Sequence, residues 1–236
     1  MAGLTMRAET TISRSQIAWG VASRALPGQD ICGDLHLVTA IPDGVLLAVV
    51  DGLGHGAEAA AAARIAIGVL QRHAGEPLAA LLSRCHEALI RTRGVVMTLA
   101  AVRAAENQLT WLGVGNIEAA LLRAGGPSRT SSECVLLRGT PTAGTPPALA
   151  SGLADWVMLR SGIVGYQIPE LRPSTRALSP GDLLIFATDG IRPGFVEGLE
   201  QSASPQALAD QILERHFKGN DDALVLVVRY LGNNHD

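Results

Sequence analysis

The sequence predicts an α+β fold, a sandwich of antiparallel strands with its helices segregated onto the outer faces. Three observations carry that expectation. Strand-length apolar runs follow one another through short turn signals, at 35–50 and again at 95–123, as antiparallel neighbours do. The helical patterns are gathered at 57–89 and 204–213 and do not alternate with strands. The runs 45–50, 183–188 and 224–231 are apolar at nearly every position, so both faces of those strands must be covered.

Residues 16–23 form the first expected strand, which Leu26-Pro27-Gly28 breaks. The loop Asp30-Ile31-Cys32-Gly33-Asp34 carries two carboxylates into the next strand, 35–41. Across the turn Pro42-Asp43-Gly44, the strand 45–50 completes a hairpin. The alanine-rich segment 57–74 reads as a helix. In the helix that follows, Leu78, Leu81, Leu82, Cys85 and Leu89 share one face, opposite Arg84, Glu87 and Arg91. Strands are expected at 95–103, 108–115 and 117–123, the first two joined by a turn at 105–107. Segments 124–132 and 140–152 are rich in Gly, Pro, Ser and Thr and read as loops, while 134–137 and 156–159 read as short strands. Ser179-Pro180-Gly181-Asp182 turns the chain into strand 183–188. Ser204 and Pro205 supply an N-cap and a first-turn proline for a helix with Leu208, Ala209, Ile212 and Leu213 on one face. Gly219-Asn220-Asp221-Asp222 leads to the last strand, 224–231. Neither a repeat nor a linker interrupts this order, so a single domain over 16–232 is expected behind a flexible tail, 1–15.

The 236 residues carry a net charge of −3 with scattered arginines, which argues against a nucleic-acid surface or a polybasic membrane patch. Cys32, Cys85 and Cys134 lack the spacing of a zinc site or a disulfide framework. A signal-peptide pattern and an apolar run of about 18 residues are both missing, so a cytoplasmic protein is expected.

The chemistry centres on Asp51-Gly52-Leu53-Gly54-His55-Gly56, between a buried strand and a helix. A hairpin turn explains Asp43-Gly44 but needs neither three glycines nor a helix behind it. Gly52, Gly54 and Ala57 fit a dinucleotide fingerprint, yet a hairpin precedes them, and an Asp in front of them would repel a pyrophosphate. A metal ligand in a phosphate-handling site is the third reading. It gains weight because Asp189 also follows a long apolar strand, Asp221 and Asp222 precede one, and Asp34 opens another. Carboxylates at strand ends can converge, and oxygen ligands suit hard cations such as Mg²⁺ or Mn²⁺.

Gly33-Asp34, Asp51-Gly52-Leu53-Gly54-His55-Gly56, Gly113-Val114-Gly115-Asn116, Ala187-Thr188-Asp189-Gly190 and Asp221-Asp222 occur in the order found in PPM-type (type 2C) protein phosphatases, and the chain most resembles their SpoIIE branch. That resemblance covers about residues 16–231. It implies a four-layer αββα sandwich of two antiparallel sheets flanked by helices, with two Mn²⁺ or Mg²⁺ ions. By analogy Asp51 bridges the ions and the Gly52 carbonyl holds one of them. Asp189 and Asp221 complete the second ion's shell, and Asp34 orients the attacking water or recruits a further ion. The implied function is a phosphoserine/phosphothreonine protein phosphatase acting on a STAS-domain component of a stressosome or partner-switching module, of the anti-anti-sigma type. A catalytically inactive phosphatase fold serving as a binding module is the alternative. The chain departs from the family pattern at Leu224, where Thr is usual, and at Asn116, where many relatives carry His. Arg24 is the nearest counterpart to the phosphate-gripping arginine of eukaryotic members. His55 is expected to shape the loop, and His36, His73 and His86 to be surface or satisfied histidines rather than ligands.

Overall fold

The computed structural model describes residues 16–125 and 154–232, within which the chain forms eleven strands and three helices. One sheet runs in the order β1 (Ile17–Arg24), β11 (Ala223–Tyr230), β10 (Leu183–Ala187), β6 (Glu118–Leu122) and β7 (Ala154–Trp156). The other runs β2 (Asp34–Ile41), β3 (Gly44–Gly52), β4 (Val95–Arg103), β5 (Gln108–Val114) and β8 (Leu159–Arg160), and β9 (Ser174–Ala177) also pairs with β5. Every strand pairing is antiparallel except β5 with β8.

The apolar runs resolve into two faces because side chains alternate along a strand. In β3, Val45, Leu47 and Val49 point into the space between the sheets, while Leu46, Ala48 and Val50 point outward under helices α1 (Gly56–His73) and α2 (Leu78–Leu89). In β10, Leu184 and Phe186 point inward, and Leu183, Ile185 and Ala187 meet helix α3 (Pro205–His216). The layers are therefore α-β-β-α, as expected. Burying each large side chain, such as Leu47 or Phe186, stabilises the sandwich by about 1.5–3 kcal/mol. Helix α2 buries the five apolar residues anticipated for it. Helix α3 starts where Ser204 Oγ accepts from Ala207 N at 3.2 Å, with Pro205 in its first turn.

Two expectations need correction. The run 156–159 is not one strand: the chain crosses from β7 in one sheet to β8 in the other, with Val157 buried between the sheets and Met158 exposed. Strand β9 was not anticipated, because Ser-Thr-Arg-Ala offers no apolar alternation and pairs only at the edge of β5. The tail 1–15, the strand at 134–137 and most of the two Gly/Pro-rich loops lie outside the described residues. Among the described residues, no helix is long and apolar enough to cross a membrane.

Candidate active site

A two-residue turn, Pro42-Asp43, sets the register of the β2–β3 hairpin from Ile41 opposite Gly44 to Asp34 opposite Asp51. The two carboxylates thus face one another where their strands end. Beyond Asp51, each glycine has its own reason. A Cβ on Gly52 would stand 2.1 Å from the Ala59 carbonyl oxygen, so the loop packs directly onto α1. Gly54 and Gly56 take φ of +84 and +77, a left-handed backbone that turns the chain into the helix. His55 stands at the N-cap of α1 without a side-chain cap bond. Because β3 is flanked by antiparallel β2 and β4, the dinucleotide reading is excluded.

The other sheet delivers two more carboxylates. Buried Thr188 follows β10, and its hydroxyl accepts from Leu224 N at 2.8 Å, tying the end of β10 to the start of β11. Asp189 comes next, its Oδ2 accepting from Asn116 Nδ2 at 2.8 Å. Lys218 donates from Nζ to the Asp189 carbonyl oxygen. Asp221 sits just before β11, its Oδ1 accepting from Asp222 N at 2.8 Å.

Electrostatics join these groups into one site. Burial, then the charges of Asp34, Asp189 and Asp221, push the Asp51 carboxyl up to about 9. Burial, partly offset by the Thr188 hydroxyl and reinforced by Asp222, Asp189 and Asp221, pushes Asp34 up to about 7. Burial and Asp189 also raise Asp221, which the nearby His55 partly offsets. Asp34 Oδ2 is buried with no hydrogen-bond partner. Among the described residues, no three His, Cys, Asp or Glu side chains stand in ready-made ligand geometry. The grouping rests instead on strand register and on the mutual influence of like charges. A divalent cation answers both features, giving the orphaned oxygen a partner and offsetting the repulsion.

In the folded metal-free protein, Asp34 and Asp51 hold protons that the unfolded chain has already released. The folded state therefore binds more protons from the ordinary carboxylate range near pH 4 up to about 9. Metal-free stability should be greatest at the acid end of that window and fall as pH rises through it. Melting temperatures in chelator at pH 5, 7 and 8.5 check this, and a flat or rising series contradicts it.

The structure brings Asp34, Asp51, Gly52, Asp189 and Asp221 to one end of the sandwich. It turns Asp222 away, both of its carboxylate oxygens accepting backbone N–H groups. Arg24 places its guanidinium 5.0 Å from the Phe217 ring centroid. His36 lies against Trp19, His73 binds Glu76, and His86 accepts from Gly165 N, so these three have structural partners. Two further residues beside the site were not among the expected site residues. Lys218 carried only the signal of being the single lysine. Arg93, which leans on Gly54 and pairs with Glu58, carried none.

The family model for Stage II sporulation protein E (SpoIIE) matches residues 41–231, most of the chain. The chain belongs to the SpoIIE family. Phosphoserine phosphatase RsbX of Bacillus subtilis (strain 168) is 29% identical to this SpoIIE-family chain over 90 residues, 38% of this chain and 45% of RsbX, so the match spans less than half of that relative. A chain from a structure of "The bacterial stressosome: a modular system that has been adapted to control secondary messenger signaling" superposes with a TM-score of 0.74 and 29% identity, over 90% of this chain and 99% of that one. RsbX crystallised in complex with magnesium superposes with a TM-score of 0.72 at 19% identity, over 96% and 99% of the two chains. The PPM-type resemblance and the sandwich it implies are both borne out.

Proposed function

We propose that this protein is a metal-dependent serine/threonine protein phosphatase, with residues 16–232 as its phosphatase domain and 1–15 as a tail. The observation that carries the reading is the buried carboxylate cluster. Asp34 Oδ2 has no partner, and Asp51 is held far above the usual carboxylate range by burial and three like charges. An inactive binding module has no use for a cluster that destabilises its own fold. Asp51, the Gly52 carbonyl, Asp189 and Asp221 would hold two Mn²⁺ or Mg²⁺ ions, oxygen ligands suiting both. Bound there, the ions would neutralise phosphate charge and make water a nucleophile at neutral pH.

The chain's own groups do the rest. Asp34, opposite Asp51 and buried with its Oδ2 unpartnered, is placed to orient the attacking water or to help recruit a cation. Asn116 fixes the rotamer of Asp189 by donating to Oδ2, a role an amide fills without adding charge. The bare backbone at Gly52, Gly54 and Gly56 leaves room for a phosphate to approach. Asn116→Ala should therefore lower turnover about tenfold, roughly 1.4 kcal/mol, mostly by loosening Asp189. Steady-state kinetics in excess Mn²⁺ measure this, and unchanged kcat contradicts the role.

The substrate is read as a phosphoserine or phosphothreonine on a STAS-domain protein of a stressosome or partner-switching module, in the cytoplasm. The likeness to RsbX and to a stressosome structure supports this. Incubation with Mn²⁺ and a phosphoserylated STAS-domain protein should release inorganic phosphate. Stable binding without release would favour the inactive module.

A further inference from the structure

We propose that Asp222 is a positioning residue, whose buried carboxylate holds the loop between β1 and β2 so that Asp34 is presented to Asp51. The inference rests on the metal-dependent phosphatase reading. Asp222 is 2% exposed. Its Oδ1 accepts from Leu26 N at 2.7 Å and its Oδ2 from Gly33 N at 2.7 Å, one bond at each end of the loop. Residues 27–31 between those anchors are exposed. The loop's own backbone contributes one turn bond, Gln29 N to Leu26 O at 2.9 Å. Asp is the shortest side chain that offers two acceptor oxygens. Charge-assisted bonds of this kind offset the burial of the carboxylate.

The fold around Asp222 shows why this point matters. A Cβ on Gly33 would stand 2.9 Å from Asp222 Oδ2, so the glycine admits the contact. A Cβ on Gly190 would stand 2.0 Å from the Asp222 carbonyl oxygen, so the Asp189 turn packs on the same residue. Asp222 N donates to Asp221 Oδ1 at 2.8 Å. One residue thus touches the segments that carry Asp34, Asp189 and Asp221. Successive side chains in extended backbone point in opposite directions, which lets Asp221 serve the cluster while Asp222 serves the loop.

The test is a double-mutant cycle read on Mn²⁺ binding by calorimetry, joined to amide exchange in the metal-free protein. Asp222→Asn sets an amide NH₂ against one backbone donor. It should speed exchange at Leu26 and Gly33 and weaken Mn²⁺ binding about tenfold. Added to Asp34→Asn it should do little more, because Asp222 acts through Asp34. Additive effects, or unchanged Mn²⁺ affinity in a folded Asp222→Asn protein, would overturn the clamp. A purely structural role would lower the melting temperature and leave affinity alone. If the variant does not fold, the wild type decides: Leu26 and Gly33 amides must exchange more slowly than those of Gly28, Asp30 and Ile31, and equal rates overturn the proposal. Wild-type protein that binds no Mn²⁺ while those two amides stay protected would instead refute the phosphatase reading.

Discussion

Asp51→Asn is expected to lower turnover of a small aryl phosphate by roughly 10³-fold or more, about 4 kcal/mol of barrier, in a protein that stays folded. The amide keeps the shape of the side chain and removes the charge that two cations would share. Its second effect has the opposite sign. Burial and the neighbouring Asp34, Asp189 and Asp221 oppose a charge on Asp51, so at neutral pH folding must put a proton on a carboxyl that is ionised in the unfolded chain. The amide avoids that cost, and the metal-free variant should melt at a higher temperature than wild type. Asp189→Asn should act in the same direction on turnover, since the remaining amide oxygen can still accept from Asn116. Kinetics in excess Mn²⁺ and melting in chelator separate the two effects. Retention of most activity by Asp51→Asn would contradict the assignment of Asp51.

Chelation should reduce turnover to the uncatalysed background, and added Mn²⁺ or Mg²⁺ should restore it. A site made of carboxylates and a carbonyl would hold hard cations loosely and leave several waters on them, so exchange with chelator should be complete. Ion binding must also displace the protons held by Asp34 and Asp51, so Mn²⁺ affinity should rise with pH through the neutral range. Full turnover after exhaustive chelation would contradict two-ion chemistry, whichever residues were ligands.

Much of this was legible in the sequence, for reasons of period and spacing. The doubly apolar runs announced strands covered on both faces, and β3 and β10 divide their residues between two cores accordingly. The Asp-Gly junctions marked strand ends, and the two-residue hairpin turn sets Asp34 opposite Asp51. What escaped was non-local. Nothing within 156–159 says that the chain changes sheets there, and β9 has no apolar pattern to detect. The division of labour between Asp221 and Asp222 depends on backbone donors nearly 200 positions away, which spacing cannot reveal. The placing of Arg24 over Phe217, far along the chain, was equally out of reach of spacing.

The carboxylate cluster is proposed to hold two divalent ions, with Asp51 between them. Anomalous scattering from crystals soaked in Mn²⁺ tests it most directly. The account predicts two peaks flanking Asp51, one also touching the Gly52 carbonyl and the other Asp189 and Asp221. Ordered ions elsewhere with none at Asp51, or soaked crystals with no peak at all, would contradict it.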